Sequence, residues 1–294
     1  MPASSTGRAL AALALVLLAA PGATNERPLP NLQAFLAEVR PRLQTDAQRQ
    51  YYYSFVETRR RITLDGAGRS ASESLTIIES HPGFPGEARW DRVIVRDGMP
   101  VSDAELRAQD ETRRRETNEY QRRLTRRTEA DRAKQEREWD RQRRELADAI
   151  DDVFRVYEIV MLGREQIDGH DTILFSLTPR PDATPVSDDG QRFEHFRARV
   201  WMSESEYELA RLEVEAIDDV NIGLGVLARI RNGTVVSLER RKLHDDVWLP
   251  VRMAYTLSAR VLLLKEIRER VVSEFSVYRK ATSGARPAVT RSSN

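Results

Sequence analysis

From Tyr51 to Tyr278 the chain reads as strand after strand joined by short turns, and only one segment among them is long enough for a crossover helix. Parallel strands need such crossovers, so the pattern predicts one antiparallel sheet, strongly curved or partly closed, with helices inserted. Residues 51–56 run toward the turn Asp65-Gly66-Ala67-Gly68, and 70–80 return. A loop rich in Pro and Gly from His81 to Gly86 leads to a strand at 88–95, closed by Asp97-Gly98, which completes an antiparallel meander. Strands resume at 153–162, pass the turn Asp168-Gly169-His170-Asp171 and continue at 172–178. A loop rich in Pro and Asp at 179–190 precedes a strand at 193–203, after which Leu212, Val214 and Ala216 alternate with charged residues. The clearest strand is 251–261, where Val251, Met253, Tyr255 and Leu257 fall on every second position. That period belongs to a sheet with one wet face. Residues 267–278 are the last strand, and 281–294 read as a disordered tail.

The exception to the strand pattern, residues 102–148, contains no Gly or Pro, and more than half of it is Asp, Glu, Lys or Arg. Opposite charges recur at helical spacing, as in Asp110 with Arg114, Glu119 with Arg123 and Asp140 with Arg144. Its sparse apolar residues, among them Leu106, Tyr120, Trp139 and Ile150, sustain no heptad, which argues against a long coiled coil. One helix of this length would reach roughly 70 Å. A hairpin broken near Thr117-Asn118 is the compact alternative. Arg113-Arg114-Arg115 and Arg122-Arg123 with Arg126-Arg127 are locally basic, yet the neighbouring acids nearly cancel them. A solvated, salt-bridged helix is therefore expected rather than a nucleic-acid arm. The net charge of the whole chain, +1 with 32% charged residues, gives no global field for nucleic acid either.

Arg8, an apolar run from Ala9 to Ala20 and the small residues Pro21-Gly22-Ala23 have the order of a secretory signal. The run is too short to span a bilayer, which takes roughly 20 apolar residues. Cleavage after Gly22 or after Ala23 would leave a mature chain without a transmembrane span, and the expectation is an exported, periplasmic protein. Cysteine is absent. This excludes disulfides, a thiol nucleophile, zinc-thiolate sites and a lipidated N-terminal cysteine. Next, Pro28-Leu29-Pro30 reads as a linker, and Asn31 as the N-cap of a helix with Leu32, Phe35, Leu36, Val39 and Leu43 on one face. Pro41 should kink or split it. The expected organisation is a signal at 1–23, a helix and first strands at 24–101, a charged helical insertion at 102–150, the remaining strands at 151–280 and the tail at 281–294.

Three stretches carry a family resemblance. Leu162-Gly163-Arg164-Glu165-Gln166-Ile167-Asp168-Gly169, continued by Ile173-Leu174-Phe175 and ending at Pro179, resembles the hairpin of periplasmic outer-membrane lipoprotein-sorting carriers, the LolA-like superfamily. Val200-Trp201-Met202-Ser203 with Leu209-Ala210-Arg211-Leu212-Glu213 is similar to their next hairpin, and Val247-Trp248-Leu249-Pro250 opens a long strand as in such proteins. The resemblance implies an α+β fold: an incomplete, strongly curved antiparallel β-barrel with a helical lid over an apolar concavity. The charged insertion has no counterpart in the simple carriers.

Chemistry of other kinds is thin. His81, His170, His195 and His244 share no i, i+4 pair, so a histidine metal site is not expected. The doublets Asp151-Asp152, Asp188-Asp189, Asp218-Asp219 and Asp245-Asp246 fit turn chemistry at strand ends. Gly223-Leu224-Gly225 lacks the strand-to-helix setting of a dinucleotide site, and neither a nucleophile elbow nor a P-loop is present. The chain reads as no enzyme and needs no cofactor. Val251, Met253, Tyr255, Leu257, Leu212, Val214, Ile173, Phe175 and Leu177 are the candidates for one apolar, ligand-binding face, with ordinary core as the competing reading. One acyl chain of about 16 carbons gains roughly 13 kcal/mol gross. Association costs of about 4–15 kcal/mol make a lipid with several chains, or a lipoprotein, the more credible cargo. The alternative is a cell-envelope interaction scaffold that meets a protein partner through the charged helix.

Overall fold

The computed structural model describes residues 27–84, 88–222, 228–243, 247–261 and 265–281. The signal at 1–23, His244, the Asp245-Asp246 doublet, Gly223-Leu224-Gly225 and the tail beyond Ala281 lie outside the described residues. Helix α1 (Leu32–Tyr51) begins at Asn31, whose side-chain oxygen accepts from the Ala34 amide at 3.0 Å. That satisfies one of the donors a helix start leaves open. Pro41 lies inside this one continuous helix and does not split it. Pro41 and Ala37 are both exposed, so the carbonyl deprived of a partner is open to water and the penalty is small.

Strands β1 (Tyr53–Leu64), β2 (Ser70–His81) and β3 (Trp90–Arg96) form the expected antiparallel meander, and β4 (Met99–Pro100) follows at its edge. Asp65 holds the first turn by accepting from the Ala67 and Arg69 amides, both at 2.9 Å, while Gly68 takes a φ of +78°.

The charged segment is helical, as α2 (Asp103–Thr125) and α3 (Glu129–Val156), but it breaks at 126–128 and not near Thr117-Asn118. Nothing at 117–118 can stop a helix, and the Thr117 hydroxyl donates back to the Arg113 carbonyl at 2.8 Å. At Thr128 a capping box does the work: its hydroxyl accepts from the Asp131 amide, and Asp131 accepts from the Thr128 amide. Helix α3 also runs past Val153, where a strand was expected to start. Ile150, Val153 and Val156 recur at helical spacing, with Ile150 and Val156 buried, so this stretch buries its apolar residues as a helix.

Helix α2 is not a free arm along its whole length. Gln109 accepts from the Val93 amide at 2.9 Å and donates to the Val93 carbonyl at 3.0 Å, standing in for a further strand at the edge of β3. Arg92 donates to Asp110 at 2.8 Å, and the Tyr120 ring stacks on Phe84 with centroids 4.2 Å apart. Gln109→Ala should therefore cost about 1–2 kcal/mol, because it leaves two half-buried backbone groups without partners. Urea unfolding of the two proteins measures this, and an unchanged midpoint would refute the edge-capping role.

The second part of the chain comprises β5 (Tyr157–Ile167), β6 (His170–Pro179), α4 (Gly190–Phe193), β7 (Phe196–Ser203), β8 (Leu209–Ala216), β9 (Val220–Ile222), β10 (Ala228–Ile230), β11 (Val235–Lys242), β12 (Trp248–Val261) and β13 (Lys265–Lys280). The sheet order is β4-β3-β2-β1-β13-β12-β11-β8-β7-β6-β5, with β10 and β9 pairing off β12. Its strand pairs are antiparallel, and the end strands β4 and β5 do not pair with each other, so the fold is α+β with an open sheet. One face carries α1. The other is a ladder of charges in which Arg199 faces Glu213, Arg197 bonds Glu215 at 2.8 Å, and Arg252 reaches Glu239 at 3.4 Å.

Candidate ligand-binding face

Residues opposite one another across a strand pair share a face of the sheet. One row on the α1 side therefore runs Phe175, Val200, Leu212, Leu238 and Met253, and the next runs Leu177, Ala198, Val214, Val236 and Tyr255. Helix α1 sits on the β5–β8 end of these rows. Phe35 and Val39, 3% and 4% exposed, press on Ile173, Phe175 and Met202, and the Phe35 ring lies 5.5 Å from that of Phe175. Leu32, Leu36 and Leu43 pack half-buried around them.

The sequence candidates thus divide. Ile173 and Phe175, at 0% and 2% exposure, are core beneath α1, together with Leu177. Leu212 and Val214 border that core and stay half-buried. Met253, Tyr255 and Leu257 continue the same face two strands beyond β8, half-buried and outside the α1 cluster, while Val236 between the two groups is 37% exposed. Val251 drops out of the row. Glu239 pairs with Arg252 but Arg240 with Pro250, which makes Val251 the extra residue of a β-bulge.

Beyond β12 the same face turns polar, a feature that sequence reasoning missed. Ser273 and Arg59 extend the Met253 row, and Val271 and Arg61 extend that of Tyr255. The buried Glu57 carboxylate accepts from Arg59 Nε at 2.7 Å and Nη2 at 2.8 Å, and from the Ser273 hydroxyl at 2.6 Å. Its hydrogen bond raises the Arg59 pKa despite partial burial. Glu269, opposite Leu257, accepts from the Tyr255 phenol at 3.1 Å, and burial followed by that carboxylate pushes the phenol up. The only signal in the sequence was the alternation Glu57, Arg59, Arg61, which reads equally well as a solvated face.

The turn between β7 and β8 closes the end of the α1 layer. Glu204 accepts from Arg164 at 2.7 Å and pairs with Arg27, Glu206 pairs with Lys242 at 2.9 Å and accepts from Trp248 Nε1 at 3.0 Å, and Glu208 pairs with Arg49 at 2.6 Å. Arg164 first, then Arg27, hold the Glu204 carboxyl below its usual range. Tyr207 in this turn has a φ of +58° and its ring meets Phe35 at 5.1 Å. A cleft of about 700 Å³ lined by Arg27, Pro30, Phe35, His170, Asp171 and Tyr207 lies beside it.

His81 stacks on Trp90, His170 lies against Trp248 and His195 meets Asp218 at 2.8 Å, each in its own place. Among the described residues no group of three or more His, Cys, Asp or Glu is placed to hold a metal, and no helix is long and apolar enough to cross a membrane. Asp219 accepts from the Asn232 amide, 13 residues away, and not from a neighbouring amide as turn chemistry would have it. Asp152 also departs from that expectation. It lies in α3, wholly buried, and accepts from the distant Val186 and Ser187 amides.

No family model and no curated protein matches the chain. Among solved structures it is similar to the LolA superfamily protein NE2245 from Nitrosomonas europaea, at 12% identity over 86% of this chain and 94% of that one, with a TM-score of 0.32. It is also similar to a DUF1329 family protein from Desulfovibrio piger, at 10% identity over 87% and 95% of the two chains, TM-score 0.29. A chain of the Pseudomonas aeruginosa MucA/MucB complex matches at 10% identity over 84% and 100%, TM-score 0.24. The first belongs to the superfamily that the three sequence stretches resemble.

Proposed function

We propose that this protein is an exported binding protein of the periplasm, without catalytic chemistry, that takes the acyl chains of a lipid or lipoprotein on the shelf of Leu212, Val214, Met253, Tyr255 and Leu257. One observation supports the reading above others. The apolar face that α1 buries at Ile173 and Phe175 continues along the same rows to Met253 and Leu257, where α1 no longer packs on it. The polar strip of Arg59, Glu57 and Ser273 borders that shelf and suits the polar end of an amphipathic ligand. A shelf and not a closed pocket is consistent with cargo that brings several chains, since one chain gains little over the cost of association.

The test is a titration with a fluorescent fatty acid. Met253→Asp should weaken probe binding at least tenfold while shifting the thermal midpoint by only a few degrees, because a charge beside Ser273 on a half-buried shelf stays hydrated. Wild-type protein that never binds the probe and carries no co-purifying lipid would leave the envelope interaction scaffold as the function.

A further inference from the structure

Thr128 turns the chain so that the last turn of α2 and the first turns of α3 share one tip. Within 122–134 the basic residues Arg122, Arg123, Arg126, Arg127, Arg132 and Lys134 outnumber the two acids, Glu129 and Asp131. Elsewhere in the two helices the acids outnumber the arginines, six to four over 103–121 and five to four over 135–148, and Arg113 pairs with Glu116, Arg114 with Glu111, Arg141 with Glu138 and Glu145, and Arg143 with Asp140. At the tip, Arg122, Arg126, Arg127 and Arg132 make no ion pair among the described residues, and Asp131 is occupied by the capping box with Thr128. All of them but Arg127 are exposed. The charge balance that makes the whole segment look like a solvated helix therefore fails at its end.

The tip begins just past Tyr120, the buried α2 residue that stacks on Phe84. At about 1.5 Å per helical residue, Glu129 lies some 30 Å along α3 from Ile150, where the helix enters the core. A guanidinium offers paired donors that match phosphate oxygens, and clustered basic residues gain from an anionic bilayer in a way that added salt screens. Leu124, only partly buried, is the sole large apolar residue among 122–134, so the tip suits a charged surface better than an apolar groove.

We propose that this arginine tip docks the protein on the anionic phospholipid headgroups of a membrane. The proposal is independent of acyl-chain binding, since no residue of the shelf takes part. It is tested by sedimentation of the full protein with vesicles of phosphatidylcholine alone or with 30% phosphatidylglycerol, at about 50 mM and 300 mM salt. Wild type should partition at least tenfold better onto the anionic vesicles, and the preference should collapse at the higher salt. The combined variant Arg122→Gln, Arg123→Gln, Arg126→Gln, Arg127→Gln should lose the preference with its helical circular dichroism and its fatty-acid probe affinity intact. A control carrying Arg141→Gln, Arg143→Gln and Arg144→Gln removes comparable charge from the middle of α3 and should stay within about twofold of wild type. Equal binding to both vesicle types by the wild type, an unaffected tip variant, or an equal loss in the control would overturn the proposal.

Discussion

Gly190→Ala is expected to destabilise this protein by at least about 3 kcal/mol, although nothing in the backbone asks for glycine there. Gly190 opens α4, its φ lies outside the left-handed region, and alanine is ordinarily the better helix former. The obstacle is Asp152. A Cβ on residue 190 would stand 2.1 Å from Asp152 Oδ2 and 2.6 Å from its Cγ. The carboxylate cannot swing aside, because it is wholly buried and accepts from the Ser187 amide and hydroxyl, both at 2.7 Å, the Val186 amide at 3.0 Å and Arg155 at 2.6 Å. Asp152→Ala should itself cost about 3 kcal/mol by removing the acceptor of the Ser187 amide and hydroxyl, the Val186 amide and Arg155 together. In the double variant the two carboxylate contacts are gone and only the 2.8 Å approach to the Cβ of residue 152 remains, so its loss should be clearly smaller than the two single losses together. Additive losses in urea titrations would rule out steric coupling between the two residues. The pH dependence gives a second handle. Burial pushes the Asp152 carboxyl up, but the Ser187, Val186 and Arg155 hydrogen bonds outweigh it and hold the group below its ordinary value. A pKa lowered by folding adds stability above the unfolded value of about 4 and loses it as pH falls through the folded value. The stability gap between wild type and Asp152→Ala should thus narrow in acid, below about pH 4.

Phe35→Ala is the second large effect, at about 3–5 kcal/mol. Phe35 is the residue by which α1 enters the sheet: its ring meets Phe175 at 5.5 Å and Tyr207 at 5.1 Å, and it is 3% exposed. For a chain of this size that loss corresponds to a fall in Tm on the order of 10 °C. The measurement separates two views of α1. A helix that forms part of the core takes the stability of the sheet with it. A helix that merely lids a cavity would, once loosened, leave the Tm nearly unchanged and improve probe binding.

Period and punctuation made much of the fold legible. The alternation Met253, Tyr255, Leu257 has one physical reading, and register places all three on one face. Asn31 and Asp65 act as the cap and the turn residue that their chemistry suggests. What stayed hidden depends on partners distant in sequence. The bulge at Val251 arises from how β11 meets β12, and β11 itself, with Glu239, Arg240, Arg241 and Lys242 after its apolar start, carries no clean alternation. The helix break at Thr128 rests on a capping pair that looks like many other Thr and Asp pairs in a charged segment. The polar half of the candidate face was illegible because Glu57 and Arg59 satisfy each other within the structure, whereas in a strand read alone they point to water. Position was the hardest to foresee: α1 packs on β5–β8, two strands short of β12.

The place of β13 in the sheet bears on how the protein is made. It pairs with β1 on one side and β12 on the other, from Tyr53 opposite Lys280 to Val261 opposite Lys265. The β1–β4 meander and the β5–β12 strands therefore meet only through the final strand. During synthesis or passage through a translocation pore, β1 emerges more than 200 residues ahead of its neighbour. Until then, it presents an open ladder edge rich in arginine. Contacts of such sequence separation form late and slowly. The rate-limiting event in folding should accordingly be the insertion of β13 between two sheets already built, and a chaperone that shields the waiting edge of β1 would act at that step.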